Sequence, residues 1–444
     1  MEARKRPLAL LASVMVTASM VGAGLAYGQI MPAPEQQAAK MPPIIVQYTA
    51  NRRSLSMTYP VRVGPPRTER MEKFYNNELA MLAKMDFKSL SHEDQVDYVL
   101  LKHNIHSQLH QIDLEKEQLK QMQPLLPFAP AIEQLMTGKR LMQRPNAQKS
   151  AAAMADMMKQ IEATEKEYAP GRHGEAAAKK VDPFVANRAV YATMELQRNL
   201  HEWFQEYDGY DPDFTWWVAL PYQNANKALT EYVGFLKEKL VGIKAGDKTT
   251  IIGDPVGRDA LMAELSDNMI DYTPEQLIAI AQTEYDWCLK QMLEASREMG
   301  YGDNWHAAVE KVKEMHVPPG EQPQVIKKLV DEGIAFAKEK DLVTIPPMAE
   351  ETWRMIMMTP QRQLVNPFFT GGNEISVSYP TDTMTFAQRM QSMRGNSTPL
   401  SHAEAFHEMI PWHFLQFYSM SRYRPYRRAF ETPFWVEGNA FWWE

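Results

Sequence analysis

One cysteine, Cys288, stands in a chain of 444 residues. A single cysteine closes no internal disulfide and builds neither a Cys-based zinc ribbon nor an iron–sulfur centre, so any metal site must draw on histidine and carboxylate. Positive charge is also short. The 48 Lys+Arg face 55 Asp+Glu, a net charge of -7, which is the reverse of the balance that neutralises nucleic-acid phosphates, and no nucleic-acid partner is expected. Strand signals are few, no fixed-period repeat is visible, and after the first 26 residues no apolar run is long enough to cross a bilayer. What is present is globular. Hydrophobic residues make up 45% and charged residues 23%, which excludes a disordered or fibrous chain. The length suffices for one large core or for two or three smaller ones.

The first residues read as an export signal. Arg4, Lys5 and Arg6 form a positive start, Pro7 to Ala26 is apolar and uncharged, and Ala26-Tyr27-Gly28 offers small residues where a signal peptidase cuts. A secretory signal peptide over 1–28 is expected, and with it a periplasmic or secreted mature chain without a membrane partner. The alternative is an uncleaved anchor, which the missing charged stop-transfer flank disfavours. Residues 29–68, rich in Pro, Gln and Arg, read as an extended N-terminal arm.

From 69 onward helical periods dominate. Met71, Phe74, Leu79, Leu82 and Met85 fall at helical spacings. Ser91 is an N-cap for a long helix that stops at Pro124. Helices follow over 151–167, 183–207 and 224–240. Thr273-Pro274-Glu275-Gln276 is the best capping sequence of the chain, opening a helix that ends near Gly300. Another covers 323–340. Leu342 to Ile345 and Glu374 to Tyr379, the latter after Gly371-Gly372, are the two strand-like runs. The expected fold is mainly α: a large helical body with a small β-sheet within 342–379, next to a helix that carries the chemistry.

That helix is written in Ser401 to Gln416, with His407-Glu408, Pro411 and His413. Neutral imidazoles bind zinc, and a carboxylate beside them can take a proton from water. The usual His-Glu-x-x-His places both histidines on one helix face. Here the second comes six residues on, about 600° of rotation and so about 120° off the first, and Pro411 lacks the amide that would bond the His407 carbonyl. A kink at Pro411 would have to re-aim His413; the alternative is two partly buried histidines on an ordinary helix. Downstream, Glu437 lies in the apolar run Phe434 to Trp443. A carboxylate buried there needs a metal or an ion pair, for which Arg427 and Arg428 are the rival partners. Glu444, seven residues on, shares its face and is a candidate partner for a ligand histidine.

His-Glu-x-x-Pro-x-His-x-x-Gln over 407–416 with Glu-Gly-x-Ala-x-x-x-Glu over 437–444 resembles the bacterial family catalogued as domain of unknown function 885, whose members resemble thermolysin-like zinc metallopeptidases. Weaker matches are Tyr272 to Leu277 and Tyr423 to Phe430, and the resemblance covers the chain from about residue 70. It implies a thermolysin-like catalytic core over 69–444, with His407, His413 and Glu437 binding Zn2+ and Glu408 as catalytic base. The implied activity is a zinc-dependent metallopeptidase acting on short peptides. Trp412 stands where the family has Gly, Phe414 where it often has a second His, and Asn439 where it has Trp. Family members also run on past the position of Glu444, so a chain truncated at its C-terminal end is expected, with the oxyanion donor in the missing stretch.

Other candidates have plainer readings. His103, His106 and His110 share a helix face and read as a helix–helix contact before a metal site. Asp208 to Asp213 reads as a turn rather than a calcium loop. Met154, Met157 and Met158 read as core. Arg422, Arg424, Arg427 and Arg428 are either paired to acids or a carboxylate-binding patch. The strand 374–379 is a candidate to hold substrate backbone as an added strand. The rival functions are a non-catalytic helical binding protein and another metal-dependent amide or ester hydrolase.

Overall fold

Capping residues set most of the helix starts. In the computed structural model, which describes residues 39–169, 179–244, 246–247, 249–366 and 368–443, the Ser91 side chain accepts from the Asp94 amide and opens the helix His92–Met122, which ends two residues before Pro124. Thr273 and Gln276 form a reciprocal capping box that opens Pro274–Glu298. Asp211 caps Pro212–Phe235, which begins well before Asn224 because the cap and Pro212 start it and Pro221 is accommodated inside. The signal-peptide reading of 1–28 and the partner role of Glu444 concern residues outside those described. No described helix is long and apolar enough to cross a membrane.

Of the extended arm expected over 29–68, residues 29–38 lie outside those described, and the remainder is corrected. Residues Met41–Thr58 and Pro65–Leu82 are helices, and a compact unit runs on from Lys40. Both carry prolines only in the first turn, where no intrahelical bond is lost, so a proline-rich composition concealed two helix starts. Met41, Ile45 and Tyr48 are fully buried and pack with Phe74, Tyr75, Leu101 and Ile105.

Three apolar cores organise the described residues. One joins helices between Val61 and Val241, including Met154 and Met157. A second is the cluster around Met41 and Leu101. The third gathers Ile326, Val330, Ile334, Ile375, Val377, Ala405, Met409 and Phe414, and it supports the candidate site. The chain is therefore mainly α-helical, as expected, with a small sheet in the expected region. Its composition differs. Met355–Met357 pairs in parallel with Ile375–Val377, while Leu342 to Ile345 forms no strand; Pro346 and Pro347 follow it directly, and Val343 and Ile345 pack on the third core. Ser376 also exchanges both backbone hydrogen bonds with Thr370. Its outer edge is thus used, and the expectation that this strand holds an added substrate strand does not hold at Ser376.

The C-terminal motifs are tied to the N-terminal helices. The 3-10 segment Pro425–Phe430 lies against Met41–Thr58 and His92–Met122. Asp97, 1% exposed, accepts from Arg427 Nε at 2.6 Å and from the Tyr426 hydroxyl at 2.7 Å. Glu93 pairs with Arg424 and Arg427. Burial and the Asp97 carboxylate push the Tyr426 hydroxyl up to about 12. Because Asp97 is the buried partner, removing its cation is the costlier change. Arg427→Ala is predicted to destabilise by about 3 kcal/mol, and Asp97→Ala by less, since Arg427 keeps Glu93; urea unfolding of the two variants measures the order.

Candidate metal centre

The helix Thr398–Glu408 carries His407 and Glu408 in its last turn and lies against Gln322–Glu339. Gly333 permits that approach: a Cβ there would stand 2.8 Å from the Phe406 ring and 3.0 Å from the Ile410 carbonyl oxygen. The backbone then leaves helical geometry at Met409 (φ -123°, ψ -105°) and re-enters it after Trp412 (φ -110°, ψ -112°). The Ile410–Pro411 peptide is cis. His413–Met420 is a separate helix. One helix kinked at Pro411 was expected; the chain instead breaks for the four residues Met409–Trp412 and restarts in a new direction, which removes the 120° mismatch of an unbroken helix.

The restart brings the two imidazoles together. Their centroids are 4.7 Å apart and the rings nearly perpendicular, 82° between planes. Glu437, from the helix Pro433–Phe441, places its Oε2 3.4 Å from His407 Nε2 and 3.6 Å from His413 Nε2. Both separations exceed an ordinary N–H···O hydrogen bond. They match the edges of a coordination tetrahedron, in which ligand atoms about 2.1 Å from zinc stand about 3.4 Å apart. Two imidazoles and one carboxylate also form a donor set suited to zinc, so the residues fit the metal their pattern implies. Glu437 itself is not the buried carboxylate expected from its apolar neighbours. It is 64% exposed, because its short helix buries only Ala440 and leaves Phe434, Trp435, Phe441 and Trp442 exposed. Nor does it pair with Arg427, which is held by Asp97.

Glu408 occupies a different position. It belongs with His407 and His413 to a group whose ligand atoms lie within 4.8 Å of one another. Its Oε2 accepts the Gly371 amide at 2.5 Å. Burial pushes its carboxyl up to about 7, with Glu404 and Glu437 adding to the shift and the Gly371 amide and His407 opposing it. Burial, then the neighbouring His407, holds the His413 ring below its ordinary value; the Glu437 carboxylate and the Gln416 amide oppose this. Of the two carboxylates near the imidazoles, Glu437 has the oxygen set between both Nε2 atoms and Glu408 is held by a backbone donor.

Gly371 is the functional neighbour that sequence reasoning missed. The pair Gly371-Gly372 by itself predicts only a turn before the strand. A Cβ on Gly371 would meet the Glu408 carbonyl oxygen at 2.0 Å and Oε2 at 2.6 Å, so only glycine lets the loop deliver its amide. The Thr370–Ser376 bridge anchors the loop one residue away. The signal in the sequence was the glycine pair itself, which suits close backbone approach as well as a turn.

The weaker candidates resolve plainly. His103 Nε2 lies 2.8 Å from the Asp267 carbonyl oxygen and His110 Nδ1 3.3 Å from its carboxylate, a contact with the helix Arg258–Asp267. Asp211 caps its helix and pairs with Arg144. Arg424 and Arg427 are paired to acids, and Arg422 lies over the Tyr418 ring at 3.4 Å.

Comparison with known proteins bears on the family and the fold alone. The family described as "Bacterial protein of unknown function (DUF885)" matches residues 61–444. No curated protein matches. A solved structure described as "a putative lipoprotein of unknown function from Shewanella oneidensis" is similar in fold, with TM-score 0.59 and 16% identity over 91% of this chain and 77% of its own.

Two predictions follow from the surroundings of Glu408. An unfolded glutamate ionises near 4.5, whereas Glu408 in the metal-free fold ionises at about 7. The native state keeps a proton that the unfolded chain has released, so this contribution is full below about pH 4.5 and lost as pH rises through about 7. It amounts to about 3 kcal/mol. Urea unfolding of metal-free wild type and Glu408→Gln across that window should show the extra downward slope in the wild type alone. Gly371→Ala should cost about 2 kcal/mol by overpacking, checked by thermal unfolding.

Proposed function

The chain belongs to the DUF885 family, and we propose that this member is an exported zinc-dependent metallopeptidase that hydrolyses short peptides. The observation that carries the reading is the approach of His407 Nε2 and His413 Nε2 to one oxygen of Glu437 at 3.4 and 3.6 Å, with the buried Glu408 beside them. The resemblance of the His-Glu motif and of Glu437 downstream to the ligand pattern of thermolysin-like peptidases supports the reading. Export, to the periplasm or beyond, rests on the signal pattern of residues 1–28.

His407, His413 and Glu437 hold the metal in this reading. Zinc, when bound, supplies Lewis-acid polarisation of a scissile carbonyl and of a water. Glu408 acts as general base: its carboxylate takes a proton from the attacking water and returns it to the leaving amine. Burial keeps that carboxylate basic, and the Gly371 amide fixes which oxygen is engaged, leaving the other for the proton. Its place directly after His407 aims it at the same space without making it a neighbour of Glu437 along the chain.

Metal analysis with a peptide-library assay tests the proposal. Stoichiometric zinc with peptide cleavage is expected. Glu408→Gln should lower turnover by about 10²–10⁴-fold with zinc content unchanged, and Glu437→Ala should lose metal affinity. Zinc without cleavage would instead assign a binding protein, and cleavage of esters but not peptides would assign a different hydrolase. Wild-type peptidase rates in the Gln variant would remove Glu408 from the mechanism.

A further inference from the structure

Among the buried side-chain atoms that lack a hydrogen-bond partner within the described residues, two are complementary and close in the chain: His413 Nδ1 and Gln416 Oε1. One is a donor when the ring is neutral with its proton on Nδ1; the other accepts only. They sit three residues apart on the helix His413–Met420, a spacing at which side chains meet. The opposite ring atom, Nε2, faces Glu437. The other end of the Gln416 amide is already engaged, since Nε2 donates to the Trp435 carbonyl at 3.1 Å. Trp435 lies two residues before Glu437 on the same helix. Gln416 therefore stands one helical turn from the second histidine and is bonded to the helix that bears the third candidate ligand. Trp412 Nε1 is a further buried donor without a partner, but its indole is stacked on Trp443 at 5.1 Å.

We propose that Gln416 is a positioning residue for His413: its Oε1 accepts the Nδ1–H of the ring, fixing the tautomer that leaves Nε2 free to bind a cation, while its Nε2 ties that helix to the backbone beside Glu437. A neutral imidazole carries one ring proton, and the partner of one nitrogen decides which atom is left as a ligand. A side-chain amide fills both roles at once because it carries an acceptor and a donor on one rigid plane. The purpose of this arrangement rests on the metal-site reading above; the tautomer itself does not.

The test reads the tautomer in metal-free protein at pH 8, from long-range nitrogen–carbon-proton correlations of the histidine rings in 15N-labelled protein. Wild-type His413 should be in the Nδ1–H form. Gln416→Leu, similar in size and without an acceptor, should move His413 toward the Nε2–H form and leave His407 unchanged. Gln416→Glu, which keeps an acceptor oxygen, should retain the Nδ1–H form. A wild-type His413 in the Nε2–H form, or a Leu variant with an unaltered spectrum, overturns the proposal. Zinc titration against a competing chelator supplies the second readout. The Leu variant should bind about 10- to 100-fold more weakly than wild type, with the Glu variant between them. Equal affinity in wild type and the Leu variant overturns the positioning role and leaves the metal site standing. A wild type that binds no zinc overturns the metal site, and the tautomer measurement still decides the role of Gln416. Far-ultraviolet circular dichroism confirms that each variant is folded.

Discussion

Pro411 has no amide hydrogen to offer the carbonyl of His407, and the site depends on that missing donor. A helix running unbroken from Thr398 through Met420 would turn His413 about 120° away from His407. The break over Met409–Trp412 lets the second helix restart with its first residue already aimed at the first histidine. Met409 and Ile410 are fully buried within the break, so apolar packing holds the irregular backbone in place. The histidines then meet at a spacing that neither helix could produce alone.

Around that break, each remaining part of the site is held from far away in the chain. Gly333 lets a preceding helix press on Phe406 and the Ile410 carbonyl, and Gly371 brings a loop amide against Glu408. The segment between the His-Glu motif and Glu437 is pinned by Arg427 and Tyr426 to Asp97, more than 300 residues earlier. The Arg cluster of the C-terminal region is thus chiefly structural: it fixes the path by which the chain reaches Glu437. The catalytic reading places its base where burial raises a carboxyl and one backbone donor restrains it, a balance that sets the basicity of such a group.

What the sequence determined by itself were the local choices. Ser91 and Thr273 cap helices because their side chains each satisfy an amide three residues on, and such bonds need no distant partner. The mainly helical class and the region of the sheet were legible from periodicity and short motifs, and the family resemblance pointed to His407, Glu408, His413 and Glu437 as the candidate site. Tertiary structure decided the rest. Whether the prolines near 42 and 65 ended an arm or began helices depended on the apolar surface that Met41, Ile45 and Tyr48 found to cover. Whether Glu437 was buried depended on which face of its helix met the body, and of that helix only Ala440 is fully buried. The partner strand Met355–Met357 and the Gly371 amide lay beyond local pattern altogether. Their roles come from contacts across 20 and 37 residues, and a contact between distant segments leaves no spacing in the chain from which to read it.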